Sequence, residues 1–127
     1  MEILVPTAAG ELIDKITILE IKSERIADPA KRANVARELA ALSEPAQALP
    51  WSNELRALKA SLKQVNEAIW EIEDKVRDAE RDKRFDAAFV ALARSVYQTN
   101  DKRAALKREI NVKLGSAIVE EKSYKPY

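Results

Sequence analysis

The 127-residue chain contains no cysteine and no histidine. Without cysteine there is no disulfide and no thiol nucleophile. Without histidine there is no Ser-His-Asp triad, and zinc loses its usual ligands. A metal ion would have to sit among oxygen ligands, as magnesium and calcium do, and catalysis would rest on Asp, Glu, Lys, Tyr or Arg; no metal or cofactor is expected. Glycine is scarce, with 2 residues, which agrees with long helices. Neither sign of charge dominates: 22 Lys and Arg face 21 Asp and Glu, for a net charge of +1. The basic excess of a polyanion binder is missing, and the basic clusters "RDKRFD" and "KRAALKR" are interspersed with acids, so no nucleic-acid partner is expected. Long apolar runs are missing as well. Nothing approaches the ~20 residues of a membrane span. The stretch "MEILVPTAAGELIDK" has neither the basic start nor the apolar run of a secretory signal, so a cytoplasmic location is the expectation.

What the chain does have is 46% hydrophobic and 34% charged residues, enough for one core in a single domain, 1–127, wrapped in solvated helix surface. "EILVP" reads as an extended arm, and Gly10 leads into a first helix over about 11–27. Leu12, Ile16, Leu19 and Ile26 share one arc of it, while Ile18 and Ile21 lie opposite, so this helix is apolar on two faces. "DP" at Asp28–Pro29 restarts the chain as a second helix to about Ser43, through an N-cap and a proline at the first helical position. After the loop "SEPAQALP", Trp51, Leu55, Leu58, Leu62, Val65, Ile69, Ile72 and Val76 repeat at alternating steps of four and three, a heptad seam of the coiled-coil kind. "RDKRFD" makes a turn. Asp86 is placed to cap a fourth helix, with Phe85 and Val90 as its hydrophobic staple, and Gly115 to end it. The predicted fold is therefore all-α: a long antiparallel helical hairpin (about 52–81 and 87–114), each arm roughly 45 Å long, packed with two shorter N-terminal helices. The arm "EILVP" and the tail "SAIVEEKSYKPY" are extended, the tail lying along the bundle or pairing with the arm.

Four polar residues interrupt the stripe of the last helix. Arg103 falls on the bearing of Phe85, Val96 and Leu114, with Thr99 beside it and Asn100 and Lys107 flanking it. A guanidinium at that bearing needs a charged partner, and Glu20 or Glu24 is the expected one. The structural reading is an internal ion pair or a side chain snorkelling to the surface, and a further reading is a register device in a homodimer. The functional reading is an anion pocket lined by Tyr97, Asn100, Arg103 and Lys107. A second candidate is the edge Asn66, Trp70, Glu73 and Arg77, where an aromatic between polar groups forms either a binding wall or a lid on the core. A third candidate is the acid set Asp14, Glu20 and Glu24 of the first helix, in which Glu20 and Glu24 lie one turn apart and could share a cation with the acids of "EIED". Lys22 and Arg25 beside them favour ordinary ion pairs instead.

The segments "GELIDKITILEIKSERI", "NEAIWEIEDKVRDAE", "FDAAFVALARSVYQTNDKRAALKREIN" and "LGSAIVEEKSY" together resemble a bacterial family of small all-helical proteins classed as a domain of unknown function. The resemblance spans nearly the whole chain. It implies a bacterial cytoplasmic protein linked to larger proteins of cell-surface polysaccharide synthesis, and it supplies no catalytic residues. The sequence as a whole points to a non-enzymatic helical interaction or assembly module acting as a homo-oligomer, with room for a further protein partner. The rival is a small enzyme or ligand-binding protein built on the Arg103 region.

Overall fold

Three of the four helices begin at a side chain that serves a free backbone N–H of the first turn. In the computed structural model, which describes residues 1–127, these are α2 (Pro29–Ala46), α3 (Asn53–Arg81) and α4 (Ala87–Lys113). Asp28 accepts from the Lys31 amide at 2.9 Å, Ser52 from Leu55 at 3.1 Å and Asp86 from Phe89 at 3.1 Å. The exception is α1 (Ala9–Arg25), whose N-cap, Ala8, has no side chain to offer. Its capping comes from across the fold: the amide of Gly10 donates to Asn111 Oδ1 of α4 at 2.7 Å. Gly10 is thus inside α1 rather than leading into it. A Cβ there would run into the Lys107 carbonyl oxygen and lie 2.8 Å from Asn111 Oδ1. Glycine permits the two helices to touch backbone to backbone.

The ion pairs give the direction of the packing. Glu20, Glu24 and Arg25 meet Lys59, Lys63 and then Glu67 and Glu71, climbing together, so α1 runs parallel to α3. Gly10, Glu11 and Asp14 meet Asn111, Lys107 and Arg103, descending, so α1 runs antiparallel to α4. The first helix therefore lies in the groove of the α3–α4 hairpin as a third strand of the bundle. Where all three meet, Ile13, Leu55, Leu62 and Ile110 are fully buried. The second apolar face of α1, carrying Ile16 and Leu19, is covered by α2, which packs on α1 alone among the helices. Two apolar faces thus find their cover within one chain. The second helix also runs further than its pattern suggests, reaching Ala46 with Pro45 in its last turn, and Trp51 closes that end by donating to the Ala46 carbonyl at 2.8 Å.

The first helix stops at Arg25, beside Glu67 and Glu71. Residues 72–81 of α3, about 15 Å of helix, pair with α4 alone. Of the heptad seam, Leu55 and Leu62 are fully buried, whereas Ile72 and Val76, with Phe89 and Leu92 opposite, are half-buried. Phe85 and Val90 do not form the expected staple. Both are exposed, and Phe85 instead meets the edge of Phe89, ring centroids 5.3 Å apart.

The hairpin turn and the end of α4 share one device. At the end of α4, Ser116 donates to the Asn111 carbonyl and Gly115, at φ +62°, to Val112; at the end of α3, Arg84 donates to Ala79 and Lys83, at φ 53°, to Glu80. Both are Schellman motifs, which need a left-handed residue. At position 83 that residue is a lysine, a strain of roughly 1 kcal/mol. Lys83→Gly is expected to raise stability by about 0.5–1 kcal/mol, and Gly115→Ala to lower it by a similar amount, both read from urea denaturation. A loss of stability in Lys83→Gly would contradict the left-handed turn.

Candidate functional site

Arg103 points inward, as its bearing requires, but its partner is Asp14 rather than Glu20 or Glu24. Its Nε donates to Asp14 Oδ1 at 2.9 Å and its Nη2 to Oδ2 at 2.5 Å, a fork against a carboxylate. The reason lies in α1. Asp14 falls within 20° of Ile21 on the helical wheel, so it faces the hairpin, while Glu20 and Glu24 sit at its edge and engage Lys59 at 3.3 Å and Lys63 at 2.6 Å. Asp14 is 0% exposed, whereas the Arg103 side chain keeps 30% of its surface.

Two neutral side chains complete the network. Asn66 donates through Nδ2 to Asp14 Oδ1 and to Thr17 Oγ1, both at 2.9 Å, and Thr17 in turn donates to the Asp14 carbonyl at 2.7 Å. Because a carboxylate only accepts, the Asn66 amide is fixed with nitrogen toward Asp14 and oxygen away from it. The hydrogen bond to Asp14 holds the Arg103 guanidinium still more firmly protonated than usual, against the opposing effect of its burial.

One turn along α4, Lys107 is buried between Glu11 at 2.6 Å and Glu120 at 2.8 Å. Burial disfavours its charge, but the hydrogen bonds to Glu11 and Glu120 outweigh burial and lift the ammonium above its ordinary value. Glu120 belongs to the segment after α4, which folds back along that helix instead of pairing with the N-terminal arm. Glu121 lies 3.6 Å from Arg108, and Tyr127 donates to Asp101 at 2.5 Å while meeting the Tyr97 ring edge-on at 5.1 Å.

The six candidate residues therefore fall in three places. Asn66, Trp70 and Arg103 border one cleft, of about 390 Å³, at the end of α1; Ile18, Ile21 and Ile69 give it apolar surface, and Glu73, Asp74 and Arg77 its outer edge. Tyr97 and Asn100 lie in a separate groove under the C-terminal segment. Lys107 is closed off by its two glutamates. A larger groove of about 810 Å³ runs along the hairpin between α3 and α4, and none of the residues lining it is buried. Thr17, Glu11 and Asn111 are the members that sequence reasoning missed, and Asp14 was legible only as one of the acids of α1, not as the partner of Arg103. The available signals were the bearing of Asp14 and a glycine inside a helix, which marks a close crossing.

These elements define a four-helix protein whose core is organised by an ion pair and its amide and hydroxyl neighbours, with a helical hairpin that outruns the helix packed into its groove. The chain belongs to a family of unknown function (DUF6165), whose pattern matches residues 3–127. No curated protein and no solved structure matches it.

Removing Arg103 alone would leave Asp14 buried without its counter-charge. Arg103→Met is expected to cost about 3 kcal/mol, the lower end of the usual range because the guanidinium is partly solvated. Asp14→Leu combined with Arg103→Met should recover most of that loss. Additive losses in the double variant would show that the two groups do not interact.

The docking of the C-terminal segment should have a pH window. Glu120 is held below the usual carboxylate range by its hydrogen bond to Lys107, so its contribution is present above the unfolded value and is lost as pH falls through the lowered one. The hydrogen bond to Asp101 raises Tyr127, and Lys107 is raised as well. Their contributions hold below the unfolded values of about 10 and are lost as pH rises through the raised ones. Amide-proton NMR of residues 118–127 is expected to report docking throughout about pH 5 to 9.5, with release only as pH falls below the ordinary carboxylate value of about 4 or rises above about 10; docking unchanged at pH 3 would remove Glu120 as its anchor.

Proposed function

We propose that this chain is a non-enzymatic helical assembly module that pairs with a second copy of itself through the free end of its hairpin. One observation carries the reading. The fully buried large side chains of the hairpin, Leu55, Leu62 and Ile110, all lie beneath α1, with Leu58 and Val65 half-buried beside them, whereas beyond α1 Ile72, Val76, Phe89 and Leu92 are all only half-buried. Two helices cannot close a core between them, whereas two hairpins set against each other make a four-helix bundle. A two-fold axis places the same seam opposite itself, so levels spaced by four and three residues meet levels of the same spacing, as in a coiled coil. The anion-pocket reading finds less support, because Arg103 and Lys107 are already matched by Asp14, Glu11 and Glu120. The bacterial cytoplasm, and service to larger proteins of cell-surface polysaccharide synthesis, complete the proposal on the strength of the sequence resemblance.

Light scattering at micromolar concentration is expected to give at least twice the 14.3 kDa chain mass. Phe85→Glu combined with Phe89→Glu should return the single-chain mass with unchanged helical circular dichroism. A single-chain mass for the unaltered protein overturns the proposal, and undiminished assembly in the double variant overturns its assignment to the hairpin end.

A further inference from the structure

The polar network around Asp14 has capacity to spare, and the spare capacity borders the cleft. Asn66 is 5% exposed, and both hydrogens of its amide are committed to Asp14 and Thr17. Its Oδ1 accepts nothing from the protein, yet no buried polar atom of the chain is without a partner. The Asn66 oxygen must therefore be reachable from solvent, and the cleft is where Asn66 comes to the surface. Arg103 has a similar surplus: Nε and Nη2 serve Asp14, and Nη1 serves no protein acceptor. A fixed acceptor and a fixed donor thus lie at one cleft, beside the Trp70 ring and the side chains of Ile18, Ile21 and Ile69.

The charges around the cleft select the ligand. Arg103 is matched by Asp14, which lies buried behind it, and Arg77 by Glu73 at 3.4 Å, so neither cation of the cleft is free and Asp74 has no counter-ion. A phosphate or a carboxylate would meet cations already engaged and an uncompensated acid. A neutral ligand meets no such opposition. It has to donate to Asn66 and accept from Arg103, and present an apolar face to Trp70. Groups that donate are also needed at the edge, where Glu73 and Asp74 only accept. A ring bearing hydroxyls all round does this, since each hydroxyl is both donor and acceptor and the ring C–H face is apolar. A planar base divides its edge into fixed donors and fixed acceptors, so it matches the inner pair and the outer acids in fewer orientations than a ring whose every hydroxyl can do both. At about 390 Å³ the cleft is near the lower end of small-ligand sites, the size for one or two such rings.

We propose that this cleft is a sugar-binding site, in which Trp70 stacks on a neutral pyranose ring, Asn66 and Arg103 hold adjacent hydroxyls, and Asp74 and Glu73 accept from those facing outward. The Asp14–Arg103 pair then has a second role: it holds Arg103 and Asn66 in place before the ligand arrives. The site does not depend on self-assembly.

The two tryptophans make the test direct. The full-length protein labelled with ¹⁵N gives one indole signal each for Trp51 and Trp70, and Trp70→Phe identifies the second. The probes are the methyl glycosides of glucose, galactose, mannose and N-acetylglucosamine, added to tens of millimolar, with sodium phosphate at matched ionic strength as the contrasting ligand. At least one glycoside is expected to move the Trp70 signal saturably while Trp51 stays fixed and phosphate has no effect. Ile18→Phe narrows the cleft without touching its polar groups and should weaken that binding at least tenfold, with a dispersed amide spectrum showing that the fold is kept. No saturable shift with any of the four glycosides overturns the proposal. So do equal shifts of both indoles, a response to phosphate alone, and undiminished binding in folded Ile18→Phe. Light scattering on the same samples reports assembly separately, so failure of one reading is distinguishable from failure of the other.

Discussion

A carboxylate with no exposed surface organises this molecule. Removing Asp14 from water costs several kcal/mol, which only a close counter-charge and further hydrogen bonds can offset. The fold supplies three donors: Nε and Nη2 of Arg103 and Nδ2 of Asn66. They come from α4 and α3, so Asp14 is satisfied only when α1 lies in the hairpin groove at one height and one rotation. Apolar contacts among Ile13, Leu55, Leu62 and Ile110 would tolerate a slide of one turn along the groove. The charge would not, because sliding would bury it unpaired. The ion pair thus enforces the same register that the Gly10 crossing demands at the start of α1, a use also known for isolated polar residues in coiled-coil seams.

Around that point the helix surfaces divide by distance from α1. Beneath α1 lie the fully buried side chains Leu55, Leu62 and Ile110, and the charges there are matched in pairs. Past Arg25 the same seam continues with half its cover. The boundary between the two regimes is the cleft of Asn66, Trp70 and Arg103. The Lys107 site is a further closed region, where two glutamates from opposite ends of the chain meet one ammonium. The cations that break the stripe of α4 are therefore spent internally, Arg103 with a remainder and Lys107 without one.

Much of this architecture is legible in residue order. Three of the caps, the heptad seam, the hairpin turn and the inward bearing of Arg103 are local or periodic properties, and periodicity survives folding. The partner of Arg103 is 89 positions away, and choosing among the acids of α1 required knowing which of its two apolar faces meets the hairpin. The sequence leaves that open, since α2 can cover either face. The capping of α1 by Asn111 is also invisible in residue order, because it comes from a helix 101 positions away. The end of α2 lies beyond what residue order suggests, because "SEPAQALP" reads as a loop between prolines, yet Pro45 is tolerated in a last turn. Asn66 and Trp70 were legible as one edge, but not their meeting with Arg103, which needs the relative rotation of α3 and α4.

The crossing at Gly10 has a mechanical consequence. There α1 rests on the backbone of α4 and is held by the Asn111 side chain, so that end gives way least, and it serves as a pivot. From Gly10 to Arg25 the helix is a lever about 22 Å long. A tilt of about 5° at the fixed end carries the far end about 2 Å, the width over which a van der Waals contact is made or lost. Any change in the volume of the core under α1 is therefore expressed at the far end, as a widening or narrowing of the gap bounded by Ile18 and Ile21.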